Sequence, residues 1–288
     1  MAPPSGGKTI ARLAQKADEL TGGRLSQQEI IRKPYYKILS LTNYYDFEDR
    51  NREFETHTFD GYDLLLDTAE DHQRAVADGE IDHELAAFED LIDEGDTVYD
   101  VGANIGVFSV YATANTDDCQ LLAQEPEPAT FDHLERNVAI NSFAERITCL
   151  QKAVTDQTGE VELYISGVEN QATHSLTRMT QHGGETVQIQ ATTVDELAAT
   201  YSAPNTVKLD VEGAEQKVLA GMKETLESDV DILIDVHDEP LKEMGGSPES
   251  VFEMLSNHGS LYELTPAGRE PVADSSALTA PTTLVVEA

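Results

Sequence analysis

Thr97-Val98-Tyr99-Asp100-Val101-Gly102-Ala103-Asn104-Ile105-Gly106 decides how this chain is read. Val98, Tyr99 and Val101 are β-formers that run into two glycines. Val107-Phe108-Ser109-Val110-Tyr111 then opens an apolar pattern of helical period. Strand, tight turn and helix in this order are the opening unit of an α/β nucleotide-type site. Gly102 and Gly106 let the backbone come close to a ligand where a side chain would collide. Asp100, at the strand end, is placed to fix the turn or to accept from a ligand ammonium.

The glycine spacing narrows the ligand. A dinucleotide loop has Gly-x-Gly-x-x-Gly, and its middle glycine makes room for a pyrophosphate on the helix N-terminus. Here that position is Asn104, whose side chain would crowd the phosphate. This opposes a dehydrogenase. Asp-x-Gly-x-Asn-x-Gly suits a cofactor without phosphates, such as S-adenosylmethionine. A bare Gly-x-x-x-Gly also occurs in turns that only join a strand to a helix, so the rest of the chain has to carry the reading.

Working outward, 288 residues at 40% hydrophobic content suffice for one large α/β domain with an appendage, or for two small domains. The net charge of −35 would repel phosphates, which argues against nucleic acid as a partner. Acids this abundant, with no Trp, point to a protein adapted to concentrated salt, where self-repulsion is screened. Cys119 and Cys149 fall at or inside expected buried strands and read as packed, reduced thiols of a cytoplasmic protein. Two cysteines do not make a metal site, and no metal ligands are assigned. Residues 1–7 lack the apolar stretch of a signal peptide, and no apolar run has the length of a membrane span.

Residues 1–52 stand apart. They carry nine basic and six acidic side chains, net +3, leaving ten basic against forty-eight acidic, −38, on residues 53–288. Ile10, Leu13, Ala14, Ala17 and Leu20 share one helical face, Lys8, Arg12 and Lys16 form a stripe on another, and four tyrosines follow between Tyr35 and Tyr45. Two readings stand: a helical cap packed on the main domain, which is preferred, or a surface meeting an anionic membrane or a lipid-linked substrate.

Beyond this extension, Phe54 to Asp67 alternates around Asp60-Gly61 as a β-hairpin, and Asp71 to Asp93 reads as an acidic helix. Gln120 to Pro126 is a strand, Glu127 to Asn141 a helix, and Ile147 to Ala153 a third strand. Gly159 to Ile165 and Thr186 to Ala191 read as an antiparallel excursion. Thr193 to Tyr201 is a short helix, Thr206 to Val211 a strand, Ala214 to Leu226 a helix, and Ile232 to His237 a strand. A helix starts at Ser247-Pro248, and Ser260 to Thr265 with Thr282 to Val286 form a closing hairpin. Such alternation gives a mostly parallel sheet with helices on both faces, whose ligands bind beyond the carboxyl ends of the strands.

Asp100, Glu125, Asp210 and His237 all fall at such strand ends. Glu125, a little over twenty residues past the glycine turn, can accept both ribose hydroxyls of an adenosyl group. Backbone groups at Lys152-Ala153-Val154 can hold the adenine edge. In Lys208-Leu209-Asp210-Val211-Glu212-Gly213-Ala214-Glu215, alternation puts Lys208, Asp210 and Glu212 on one side, aimed at the cleft mouth. Asp210 there could complement a sulfonium or deprotonate an acceptor hydroxyl; an acid cluster at a helix N-terminus is the structural alternative. His237, paired with Asp235 or Asp238, is a second base candidate or a structural histidine.

Together these segments resemble the FkbM-type methyltransferases. The matching pieces are Gly95 to Gly106, Glu125-Pro126-Glu127-Pro128, Asn137 to Asn141, Thr193-Val194-Asp195-Glu196-Leu197 and Lys208 to Glu215, within roughly residues 84–240. The resemblance implies a class I, Rossmann-like seven-stranded sheet with a reversed last strand, and S-adenosylmethionine as cofactor. It also implies O-methylation, commonly of sugar hydroxyls in glycans or of secondary metabolites; a uronate carboxylate is a further acceptor that would need no base. Carried over by position, Asp100, Gly102, Asn104, Gly106 and Glu125 contact the cofactor, while Asp210 and Glu212 face the transfer centre. Ser175-Leu176 matches a family Ser-Ser-Leu stretch in which His174 replaces the first serine. A fold that only binds the cofactor is opposed by the intact turn, Glu125 and the Asp210 cluster. A nucleic-acid methyltransferase is opposed by the charge and by the lack of an Asn/Asp-Pro-Pro-aromatic motif.

Overall fold

Strands apolar on both faces must be covered on both, and the central strands of this chain are. A computed structural model describes residues 54–59, 62–67, 79–166, 174–175, 184–274 and 281–288. The extension 1–52, the Asp60-Gly61 turn, the first part of the helix expected from Asp71, and Leu176 lie outside the described residues. In chain order the elements are β1 (Phe54–Phe59), β2 (Tyr62–Asp67), α1 (Asp82–Glu89), β3 (Thr97–Val101), α2 (Val107–Asn115), β4 (Gln120–Gln124) and α3 (Pro128–Ile140). Next are β5 (Ile147–Leu150), β6 (Ala153–Val154), β7 (Gly159–Ser166), β8 (His174–Ser175), β9 (Gly184–Thr192), α4 (Val194–Thr200), β10 (Thr206–Leu209) and α5 (Glu215–Ala220). The chain ends with β11 (Asp231–Val236), α6 (Asp238–Glu243), α7 (Pro248–Leu255), β12 (Ser260–Thr265), β13 (Gly268–Pro271) and β14 (Thr282–Glu287).

The main sheet runs β13-β12-β14-β11-β10-β3-β4-β5. β5, β4, β3, β10 and β11 are parallel neighbours. β14 inserts antiparallel between β11 and β12, which gives the reversed last strand of a class I methyltransferase sheet. The seven expected strands are all present, and β13 adds an eighth at the edge. On one face Tyr99, Val207, Leu209, Ile232 and Ile234 pack with Val194, Leu197, Val218, Leu219, Leu241 and Leu255. On the other, Val98, Leu121, Ala123 and Leu233 meet Phe88, Phe131, Leu134 and Val138. At roughly 25 cal/mol per Å² of apolar surface removed from water, these two layers dominate the stability.

Local chemistry explains the boundaries. Glu127 caps α3 by accepting from Thr130 N, and Pro128 stands where a helix lacks a backbone partner anyway. Ser247 and Ser250 cap one another at the start of α7. α5 is shorter than the expected Ala214 to Leu226. It stops at Gly221, where a Cβ would lie 2.2 Å from the Thr155 carbonyl oxygen, and Asp195 accepts from the N–H groups of Glu224 and Thr225 just beyond. The third strand also ends early, at Leu150: Ala153 and Val154 pair instead with Ala191 and Thr192 of β9. The antiparallel excursion is thereby a second sheet of order β6-β9-β7-β8, with its own small core of Ala153, Leu163, Ile189 and Ala191.

The β1–β2 hairpin belongs to the main body. Leu64 is buried with Leu85, Ile105, Val107 and Val110, and Asn141 bonds the Asp63 backbone in both directions. Among the described residues no helix is long and apolar enough to cross a membrane. Cys119 is buried, Cys149 half-buried, and both are free thiols.

Two strand ends touch where the site forms. Gly102, at φ +81°, leaves so little space that a Cβ would sit 1.8 Å from the Asp210 carbonyl oxygen. Gly95 also has positive φ, +89°, but a Cβ there meets nothing within 4 Å. Gly95→Ala therefore tests the conformational cost alone, expected at about 1–2 kcal/mol. Gly102→Ala adds a backbone collision and is expected to cost about 4 kcal/mol or more, checked by urea unfolding of both variants. Equal losses would mean that the contact between the two turns yields easily.

Candidate active site

The glycine turn is held from three sides. Gly102 N and Ala103 N both donate to the Gln124 carbonyl at the end of β4. The buried Asn137 Nδ2 donates to the Ile105 carbonyl at 2.8 Å. Asn104 takes φ +51°, and its Oδ1 accepts from Ile105 N. Asparagine tolerates this left-handed backbone better than most residues. The turn so shaped aims Asn104 N at Glu125 Oε2, 3.0 Å away, while Glu125 Oε1 accepts from Glu127 N.

Gly102, Asn104, Glu125, Ala153, Asp210 and Glu212 line one cleft, which encloses about 650 Å³ and is open to solvent. Six of the nine residues expected at the site are thus brought together. Gly106 lies below the turn as the left-handed residue before α2. Asp100 stands behind the wall rather than in it: fully buried, it accepts from Ser109 Oγ at 2.6 Å, so it fixes the start of α2. Its place at a strand end suggested ligand contact, but its side chain falls on the sheet face that α2 covers. His237 closes the acidic end of the cleft from the neighbouring strand.

The donor set fits S-adenosylmethionine. Val154, Leu163 and Pro126 give apolar walls for a planar base, and two of them come from the second sheet. Glu125 keeps both oxygens tied to backbone N–H groups, and burial pushes its carboxyl up to about 8. Hydroxyl donors to such a dry carboxyl would favour its ionised form. Among the described residues Lys152 is the one basic side chain on a wall that also carries Glu125, Asp210 and Glu212, a field that suits a sulfonium and disfavours a pyrophosphate.

At the acidic end, Asp210 Oδ1 and Glu212 Oε2 lie 3.9 and 3.8 Å from His237 Nε2. His237 Nδ1 is bonded to Glu215 Oε1 at 2.8 Å, and the same oxygen accepts from Gly213 N. The partners of His237 are therefore Glu215, Asp210 and Glu212, not the hydrogen-bonding Asp235 or Asp238 expected from adjacency; those bond Thr283 and Lys242. Asp235, two residues back, is on the ring's own side of the strand, but its carboxylate accepts from Thr283 Oγ1 and meets His237 only through its charge. Burial alone would lower the His237 imidazole, but the Glu215 bond and the charges of Glu212 and Asp210 hold it up at about 9. Glu212, at φ +49°, is raised by burial and by Asp210 to about 7, against the opposing pull of His237.

Lys208 does not reach the cleft mouth. β10 ends at Leu209, so Lys208 points into the α2 side of the sheet and is 2% exposed, with Nζ 3.3 Å from Asp210 Oδ2. Sequence reading missed Glu215 as the orienter of His237, and missed Glu84 of α1. Burial and the charge of Asp235 raise the Glu84 carboxyl to about 7. Glu215 had a signal, since it closes the Lys208 to Glu215 stretch; Glu84 had none. Thr193 to Leu197 serves the scaffold instead: Thr193 caps α4, and Asp195 brackets the turn after α5.

Comparison with known proteins bears on this geometry. The model of the methyltransferase FkbM domain matches residues 100–262. The hexuronic acid methyltransferase AglP of Haloferax volcanii is 29% identical over 180 residues, which cover 62% of this chain and 69% of that protein. The 31-O-demethyl-FK506 methyltransferase FkbM of Streptomyces tacrolimicus is 27% identical over 57% of this chain and 72% of its own. Among solved structures, a TehB-like SAM-dependent methyltransferase from Corynebacterium glutamicum aligns at a TM-score of 0.43 and 10% identity, over 75% of this chain and 91% of that one. The matched span runs from Asp100 to Tyr262 and takes in the glycine turn, Glu125 and the Asp210 cluster, so the chain belongs to the FkbM methyltransferase family and is an S-adenosylmethionine-dependent methyltransferase.

Proposed function

We propose that this protein is an O-methyltransferase acting on a sugar of a glycan or glycolipid, with a hydroxyl as the acceptor group. The observation that carries the reading is the Asp210 carboxylate at the acidic end of the cleft, backed by Glu212 and His237. A sugar acceptor draws support from the similarity to AglP, whose name records action on a hexuronic acid. The basic segment 1–52, net +3 on an otherwise acidic chain, is the part of the sequence suited to an anionic membrane that carries such an acceptor.

S-adenosylmethionine supplies a methyl group already activated on a sulfonium. The chain then has to orient the acceptor oxygen and take its proton. Orientation alone can contribute roughly 7–11 kcal/mol in favourable intramolecular models. His237, held up at about 9 by the Glu215 bond and the charges of Glu212 and Asp210, favours the imidazolium over the form a base needs. That role falls to Asp210, while the imidazolium keeps the neighbouring carboxylates from repelling one another. Glu125 holds the ribose, and Gly102 and Asn104 shape the floor beneath it.

A second reading, methyl-ester formation on a uronate carboxylate, is favoured by the same relative and needs no base. Asp210→Asn separates the two. With tritiated S-adenosylmethionine and a panel of methyl hexosides and methyl hexuronosides, the variant should lose about 10²–10⁴ in kcat on hydroxyls. Unchanged turnover on hydroxyls removes Asp210 from the reaction. A panel methylated only on carboxyls, with Asp210→Asn fully active, establishes the ester reading.

Glu125→Ala is expected to weaken S-adenosylmethionine binding roughly 10- to 100-fold by calorimetry, the loss for charge-assisted hydrogen bonds. His237 gives a pH signature. Its folded value of about 9 lies above its ordinary 6.5, so its ion pairs contribute fully below about 6.5 and are lost as pH rises through about 9. The Tm margin of the wild type over His237→Gln should be widest at mildly acidic pH and vanish in alkaline buffer. A margin independent of pH would mean a neutral ring throughout.

A further inference from the structure

Asp210 is the hub of a crowded electrostatic neighbourhood. Five carboxylates act on it or feel its charge: Glu84 from α1, Asp100 from β3, Glu125 after β4, Glu212 in its own turn and Asp235 from β11. Among the described residues, two cations act on it against them, His237 at the open end and Lys208 beneath. Glu215 lies one shell further out, bonded to His237. A carboxyl among five others would be pushed towards its neutral form, and a neutral Asp210 is no base.

We infer that Lys208 is the positioning residue for Asp210: buried beneath the cleft, its ammonium keeps that carboxylate charged and turned to the acceptor. The inference rests on the reading of Asp210 as the base. Lys208 Nζ is 3.3 Å from Asp210 Oδ2, leaving Oδ1 on the side of His237 and the cleft. The ammonium stands 4.3 Å from the centroid of the Phe108 ring, and Phe108 meets Phe88 of α1 edge-on at 5.7 Å. Ring and ring fix the height of the lysine under the site. In register Lys208 sits beside Asp100, and Asp235 acts on it from the other flank, so three carboxylates share one ammonium. Burial alone would lower Lys208, but the charges of Asp210, Asp100 and Asp235 outweigh it and hold the amine well above its ordinary range. It therefore stays charged at neutral pH. A lysine that only filled the core would be replaceable by methionine with no effect on the charge of Asp210.

The test reads that charge directly. The full-length chain is labelled with ¹³C-carboxyl aspartate, and the Asp210 signal is assigned by its loss in Asp210→Asn. Its titration midpoint is expected to rise by about 1–3 pH units in Lys208→Met. Lys208→Arg, which keeps the charge, should leave it near the wild-type value. Lys208→Gln, neutral but polar, should raise the midpoint in the same way and decides the matter if Lys208→Met does not fold. An unmoved midpoint in folded Lys208→Met or folded Lys208→Gln overturns the inference. Because the measurement needs no acceptor, it is independent of Asp210→Asn turnover, which judges the base itself.

Discussion

The site depends on one close approach, the α-carbon of Gly102 against the carbonyl of Asp210. Parallel strands β3 and β10 are neighbours, and Asp210 N donates to the Val101 carbonyl as the ladder ends. Both chains must then turn away within a residue or two, and only a residue without a Cβ lets them do so in contact. The cofactor turn and the acceptor-side carboxylate are consequently parts of one rigid corner. Catalysis by alignment requires such a corner, since a misplacement of about 1 Å can cost about 10²-fold.

Charge balance shapes everything built on that corner. The chain carries a large acidic excess, and the site concentrates it, with Glu84, Asp100, Glu125, Glu212 and Asp235 each within reach of the Asp210 charge. Uncompensated carboxylates at this burial would simply take up protons. Lys208 from below and His237 from the side divide the cluster into compensated portions. Glu215 in turn fixes the ring of His237 so that Nε2 faces the cleft. A wall of this sign welcomes a sulfonium and a neutral hydroxyl.

The second sheet has a separate part. β6 leaves the main sheet after Leu150 and pairs with β9, carrying Ala153 and Val154 to the cleft with Leu163 beside them. What reads along the chain as an excursion is the apolar wall opposite Glu125. The family match begins at Asp100 and ends in β12, so Glu84 and the β1–β2 hairpin lie outside it although both pack on the site region.

Much of this is legible in the amino-acid sequence by itself. Alternation and glycine punctuation are local signals, and they place β3, β4, β10, β11 and the closing hairpin of β12 and β14, and with them Glu125, Asp210 and Glu212 at strand ends; the reversal of the last strand is what the family resemblance implies. Asn104, a single side chain at a fixed offset from the glycines, speaks against a pyrophosphate. Tertiary structure alone decides which face each strand-end residue takes and what stands across from it. Asp100 goes into the core, Lys208 goes under the site, and His237 turns from its sequence neighbours to Glu215. The reason is physical: periodicity reports that a residue points to one side of a strand, but the charge it meets there comes from helices and strands far away in sequence.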